Sequence, residues 1–145
     1  MKLADIQELW REDSIVDKQK LDDELLKISK LHAKYHEIYT HERLRLHQYN
    51  AEYKVLKQEK YDFYVEGPTK ETQERGWVLP PRGKVLKADV NQYLDSDKDL
   101  INLSLKIGAQ NEKVAFLESI IKTIMQRNWT IKSSIDYIKF CNGVT

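Results

Sequence analysis

From Lys27 to Lys60 the chain carries eight Lys or Arg side chains against four Asp or Glu, and all four of its histidines: His32, His36, His41 and His47. Lys27, Lys30 and Lys34 recur at helical spacing. Arg43, Arg45, Lys54, Lys57 and Lys60 continue the positive charge up to an aromatic cluster, Tyr61, Phe63 and Tyr64. A track of cations neutralises phosphates, and flat rings stack on unpaired bases whatever their identity, so this pattern suits single-stranded nucleic acid. A solvated charged face over a tyrosine-rich seam accounts for the same residues, and on composition alone that plainer reading is favoured.

Other chemistry finds little footing. His32 and His36 stand i, i+4, a spacing that brings two imidazoles near one ion, but the segment HAKYH lacks the glutamate of a zincin and no cysteine accompanies it. Gly83-Lys84 lacks the rest of a phosphate-binding loop, and no GxGxxG is present. The single cysteine, Cys141, has no histidine near it in sequence, which argues against a nucleophile. The chain reads as a non-enzymatic protein with no cofactor and no metal.

A chain of 145 residues suits one domain, taken here as residues 1–145. At 41% hydrophobic and 32% charged it is too apolar to be disordered. The net charge of +1 conceals a layout in blocks: 4 basic and 8 acidic side chains in residues 1–26, then the basic stretch, then 12 basic and 11 acidic in residues 61–145. The opening MKLADIQELW has no apolar run of the kind a signal peptide needs, and no stretch approaches the ~18 apolar residues of a membrane span. A soluble, intracellular protein is expected, with no membrane partner.

The elements that must position the basic track are helical. Residues 3–10 place Leu3, Ile6, Leu9 and Trp10 on one face of a short helix, and Asp17 is a candidate N-cap for the next. From Leu21, steps of four and three reach Leu25, Ile28, His32, Tyr35, Tyr39, Glu42, Leu46, Tyr49, Tyr53, Leu56, Lys60 and Phe63, of which only His32, Glu42 and Lys60 are not aliphatic or aromatic. With no Gly or Pro before Gly67-Pro68, the spacing predicts one helix over residues 18–65. Lys60 is thus both a candidate contact and a seam position, where it packs by its stem or pairs with an acid.

Residues 67–88 are expected to form an ordered loop, with Trp77, Val78 and Leu79 as its docking point and a short extended piece at Lys84–Leu86. A short helix at Val90–Leu94 follows, and Asp95-Ser96-Asp97 offers caps for a second long helix. That helix keeps the rhythm through Leu100, Leu103, Ile107, Gln110, Val114, Leu117, Ile121 and Ile124, with Gly108 marking a close contact or a bend. Asn128 suits its C-terminal cap, and a last amphipathic helix from Thr130 to about Cys141 carries Ile131, Ile135 and Ile138. The fold class is mainly α: long helix, loop, second long helix and a short C-terminal amphipathic helix.

A helix over residues 18–65 spans about 72 Å, against a diameter near ~40 Å for a globule of this size. Part of its seam must then pack on other chains unless the helix bends or breaks. Val114, Leu117, Ile121, Ile124, Ile131, Ile135 and Ile138 are the expected subunit contacts.

The opening MKLADIQELWREDS, the segment VLKQEKYDFYVEG and the closing LESIIKTIMQRNWTIKSSIDYIKF, in that order and spacing, resemble the UvsY family of recombination mediators of tailed bacteriophages over essentially the whole chain. The resemblance implies a non-enzymatic mediator that binds single-stranded DNA without sequence preference. It implies a ring-like homo-oligomer, hexameric or heptameric. It also implies partners: a RecA-like recombinase of the UvsX type, loaded onto DNA coated by the phage single-strand-binding protein, in the cytoplasm of the infected bacterial host.

Family members carry Lys-x-Arg two residues before Asp-Tyr-Tyr. Asp62-Phe63-Tyr64 matches that triplet here, Lys60 takes the arginine's place, and Gln58 stands where the lysine would be, with Lys57 the nearest substitute. The DNA-contacting residues expected from the basic track and the resemblance together are Arg43, Lys54, Lys57, Lys60, Tyr61 and Tyr64. The competing expectation, from the seam alone, is a structural coiled-coil adaptor that binds no DNA.

Overall fold

A computed structural model of the chain describes residues 1–143. In chain order the helices are α1 (Leu3–Asp13), α2 (Leu21–Leu26), α3 (Ile28–Glu66), α4 (Lys70–Glu74), α5 (Val90–Asp95) and α6 (Lys98–Cys141), with no strand among the described residues. The chain divides into two compact units. Unit 1 is Met1–Arg43 with the chain from Glu112 onward, and unit 2 is Leu44–Asn111.

The core of unit 1 is Ile6, Tyr35, Leu117, Ile120 and Ile124, with Leu9, Trp10, Ile28, Leu31, Ile38 and Phe116 packed around it. The amphipathic spacing of α1 turns Ile6 into that core. Arg127 of α6 secures the end of α1, donating to the carbonyl oxygens of Asp13 and Ser14 at 3.0 and 2.8 Å and lying 5.3 Å from the Trp10 ring. The Asp13 carboxylate accepts from Lys34 Nζ at 2.6 Å and from the Tyr35 hydroxyl at 2.7 Å. Burial opposes its charge, but these two donors outweigh burial and hold the carboxyl below its ordinary range. Glu42, the acidic exception in the α3 seam, is buried and paired with Lys113 Nζ at 3.3 Å.

Unit 2 is built on Phe63, Tyr64, Val85, Val90, Leu94 and Leu100, with Tyr53, Leu56, Tyr61, Val65, Trp77, Leu79 and Tyr93 against them. Gly67, at φ +99°, ends α3 in the left-handed conformation, and its N–H bonds back to the Phe63 carbonyl at 3.0 Å. The positive φ is what calls for glycine; a β-carbon there would also meet Lys84 Cε at 2.8 Å, the end of a flexible side chain that can move aside. Thr69 and Thr72 exchange the bonds of a capping box at the start of α4. The loop returns to α3 through the Val85 N–H, which donates to the Tyr64 carbonyl at 2.8 Å. Trp77 and Leu79 dock as expected, but Val78 stays exposed, and Lys84–Leu86 forms no strand: beside the Val85 bond, the Leu86 carbonyl accepts the Asp89 N–H at 2.9 Å.

Several boundaries differ from the sequence reading. The first long helix is interrupted at Lys27, which separates α2 from α3, although Lys27 keeps its bonds to Asp23 and Leu31. Asp17 does not cap: its carboxylate accepts the Gln19 N–H at 2.9 Å, and α2 opens only at Leu21 behind Lys20. α6 does not stop at Asn128 but runs unbroken to Cys141, so the last two expected helices are one. Ile131, buried at 3% exposure, anchors the extension, and burial of an apolar residue overrides the weak local preference of Asn128. Gly108 makes no close contact within the chain, since a β-carbon there would meet nothing within 4 Å.

Candidate nucleic-acid interface

Within unit 2, α3 sorts its charges by face. His47, Asn50, Lys54, Lys57 and Tyr61 follow at steps of three, four, three and four, so they share one side of the helix, and no carboxylate falls among them. The acids Glu52, Glu59 and Glu66 repeat every seven residues on a different side. Lys54 and Lys57 are exposed, and Tyr61 is half-buried, packed against the aromatic core behind it. Gln58, where the resemblance would place a lysine, donates to Asp62 Oδ1 at 3.0 Å.

Lys60 and Tyr64, the other two expected contacts on this stretch of α3, are both buried. Lys60 is only 4% exposed; its ammonium stands 2.7 Å from Asp99 Oδ2 and 3.3 Å from Asp97 Oδ2, and 3.9 Å from the centre of the Trp77 ring. Its place on the inward seam of α3 is the reason; Lys57, three residues earlier, sits at the edge of that seam and is exposed. Tyr64 is buried and donates its hydroxyl to Asp97 Oδ2 at 2.6 Å. Burial first, and then the neighbouring carboxylate, push its phenol well above the ordinary tyrosine range. Burial also opposes the charge of Asp97, but the bonds from Tyr64 and the Leu100 N–H, with the Lys60 ammonium, hold its carboxyl below the usual range.

Asp97 also caps α6, accepting the N–H groups of Asp99 and Leu100 at 3.0 and 3.1 Å. That capping role was legible in the sequence, whereas its pairing with Lys60 was not. Nor was the part played by Trp77, which meets Phe63 edge-on at 5.5 Å and has the Lys60 ammonium and the Arg75 guanidinium 3.9 and 5.0 Å from its ring centre. The available signal was the charged residue at a seam position, which demands a buried partner of opposite sign.

Arg43, the remaining expected contact, belongs to unit 1. It is exposed, with its guanidinium 5.9 Å from the Tyr39 ring. Of the expected subunit contacts, Val114, Leu117, Ile124 and Ile131 are buried within unit 1 itself, Ile121 and Ile135 are half-buried, and only Ile138 is exposed. Within unit 1 these α6 positions pack on the same chain. Apolar surface open to a neighbour lies instead at Met125, Trp129, Tyr137 and Phe140, with Trp129 76% and Phe140 79% exposed.

Among the described residues no group of three or more His, Cys, Asp or Glu is arranged to hold a metal ion, and no helix is long and apolar enough to cross a membrane. The arrangement is that of an all-helical protein with an outward cationic and aromatic helix face. The family described as "Recombination, repair and ssDNA binding protein UvsY" matches residues 9–144, and the chain belongs to that family.

The fold agrees. Crystal structures of the bacteriophage T4 recombination mediator protein UvsY in lattice types II and IV superpose with TM-scores of 0.81 and 0.77 at 21% identity; they cover 97% of this chain and 97% and 98% of theirs. No curated protein matches the sequence.

Proposed function

We propose that the chain is a recombination mediator that binds single-stranded DNA without sequence preference. It helps load a RecA-like, UvsX-type recombinase onto DNA coated by the phage single-strand-binding protein, in the cytoplasm of the infected bacterial host. The observation that carries the DNA-binding part is the face of Lys54, Lys57 and Tyr61: two exposed cations and a partly open ring on one side of α3, with the acids of that stretch turned elsewhere. Phosphates meet the ammonium groups, and an unpaired base meets the ring. Neither contact reads a base edge, so sequence has little influence. Lys60 and Tyr64 support this face from behind by fixing α3 against α6 and the loop.

Assembly into a ring-like hexamer or heptamer is part of the same reading. Met125, Trp129, Tyr137, Ile138 and Phe140, exposed on the C-terminal half of α6, are the residues assigned to it, because exposed aromatic side chains are what a subunit contact buries. A ring multiplies the Lys54–Lys57 face by the number of subunits, so modest contacts add to a large avidity.

The test compares poly-dT, mixed-sequence single strands and duplex at matched salt. The two single strands should bind alike and the duplex more weakly. A duplex preference would remove stacking from the mechanism, and no binding to either strand would leave a structural adaptor as the better description.

A further inference from the structure

We propose that the first half of α3 carries a second single-strand contact, a column of flat side chains made by His32, His36, Tyr39 and Arg43 within unit 1. The proposal rests on the single-strand reading above and adds a site to it. The spacing is i, i+4, i+7 and i+11, which is one side of a helix. The groups meet in sequence along that side. The His32 and His36 rings lie 5.6 Å apart and within 16° of parallel. His36 and Tyr39 follow at 6.1 Å with a tilt of 47°, and the Arg43 guanidinium carbon stands 5.9 Å from the Tyr39 ring centre. His36 and Arg43 are exposed, while His32 and Tyr39 are half-buried.

The column is anchored rather than loose. The Tyr39 hydroxyl donates to Glu118 Oε1 of α6 at 2.8 Å, which fixes the ring and engages the carboxylate beside it. Glu37 is turned away, 4.0 Å from His41. The two imidazoles do not suit an ion between them, because their lone pairs lie in two near-parallel ring planes and do not converge. What stacked, partly open rings ending in a guanidinium do suit is an unpaired nucleobase with its phosphate: the rings offer π-faces, and Arg43 offers both a flat face and a cation. A duplex keeps its bases stacked within itself and cannot use such a column.

The experiment uses the full-length assembled protein and oligo-dT carrying 4-thiothymidine. After near-ultraviolet irradiation and trypsin digestion, cross-links are expected in residues 31–43 as well as near Tyr61. His32→Ala with His36→Ala should weaken oligo-dT binding by about five- to ten-fold, the loss of roughly one stacked base. Absence of cross-links in 31–43, or unchanged affinity in the histidine double variant while Lys54→Ala with Lys57→Ala still weakens binding, would overturn the column and leave the face in unit 2 standing. If wild type itself fails to bind oligo-dT, both readings fall together.

Discussion

Lys60 Nζ stands 2.7 Å from Asp99 Oδ2, and the Trp77 ring closes over it at 3.9 Å. This ion pair makes a basic residue part of the interior of unit 2, and the neighbouring Asp97, itself buried, depends on the same ammonium. Lys60→Met keeps the aliphatic stem and removes the charge, leaving Asp97 with a hydroxyl and backbone donors but no cation. It should destabilise the protein by about 3 kcal/mol, as breaking one side of a buried pair does. Urea unfolding followed by circular dichroism measures this; a loss under ~1 kcal/mol would mean that the pair contributes little.

The acid limb of stability should report Asp97 and Asp13. Both carboxyls are held below their ordinary values in the folded chain. Each therefore contributes stability that is present above the unfolded pKa, near ~4, and is lost as pH falls through the lower folded value. Urea midpoints measured from pH 7 downward should stay level to about pH 4 and then fall. Asp97→Asn should lower the plateau and make the fall below pH 4 shallower; an acid limb identical to the parent's would exclude Asp97 as a contributor.

Two glycines should answer oppositely to alanine. At Gly108, mid-helix in α6 with open space around it, alanine should stabilise the protein by about 0.5–1 kcal/mol. At Gly67, where φ is +99°, alanine should destabilise by ~1 kcal/mol or more. Thermal melts of the two single variants decide. A destabilised Gly108→Ala variant would place a neighbouring subunit against that glycine.

Assembly should respond to the exposed side of α6. Trp129→Ser with Phe140→Ser removes two largely exposed rings without touching the core, and should yield smaller species in sedimentation velocity at micromolar concentration. An unchanged sedimentation profile would move the interface elsewhere. Substituting Leu117 or Ile124 is not informative, because both are fully buried in unit 1 and their loss unfolds it.

Helix positions were readable because the four-three rhythm of α3 and α6 is a direct image of which residues are buried: Tyr35, Phe63, Leu100, Leu117 and Ile124 all fall on it and are all interior. The rhythm also placed Glu42 and Lys60 inside, but it could not name their partners, which lie 71 and 39 residues away in Lys113 and Asp99. The same limit hid the role of Trp77, because a loop residue's neighbours are set by where the loop returns, here through the Val85 N–H. The α6 seam was legible as apolar but not as internal or intersubunit, since both kinds of burial need the same residues. Asn128 misled because a local cap preference was weighed without the buried Ile131 beyond it.

The central claim, that the Lys54–Lys57–Tyr61 face binds single-stranded DNA, is tested most directly by the salt dependence of oligo-dT binding in Lys54→Ala with Lys57→Ala. Both residues are exposed and lie outside the two hydrophobic cores, so the variant should assemble and melt like the parent. Fluorescence anisotropy across a range of salt gives the slope of log affinity against log salt, which changes by about 0.7 for each phosphate of a single strand that is no longer neutralised. The double variant should bind more weakly, with a slope shallower by roughly one or more. An intact assembly with unchanged affinity and unchanged slope would contradict the claim and put the binding surface elsewhere on the molecule.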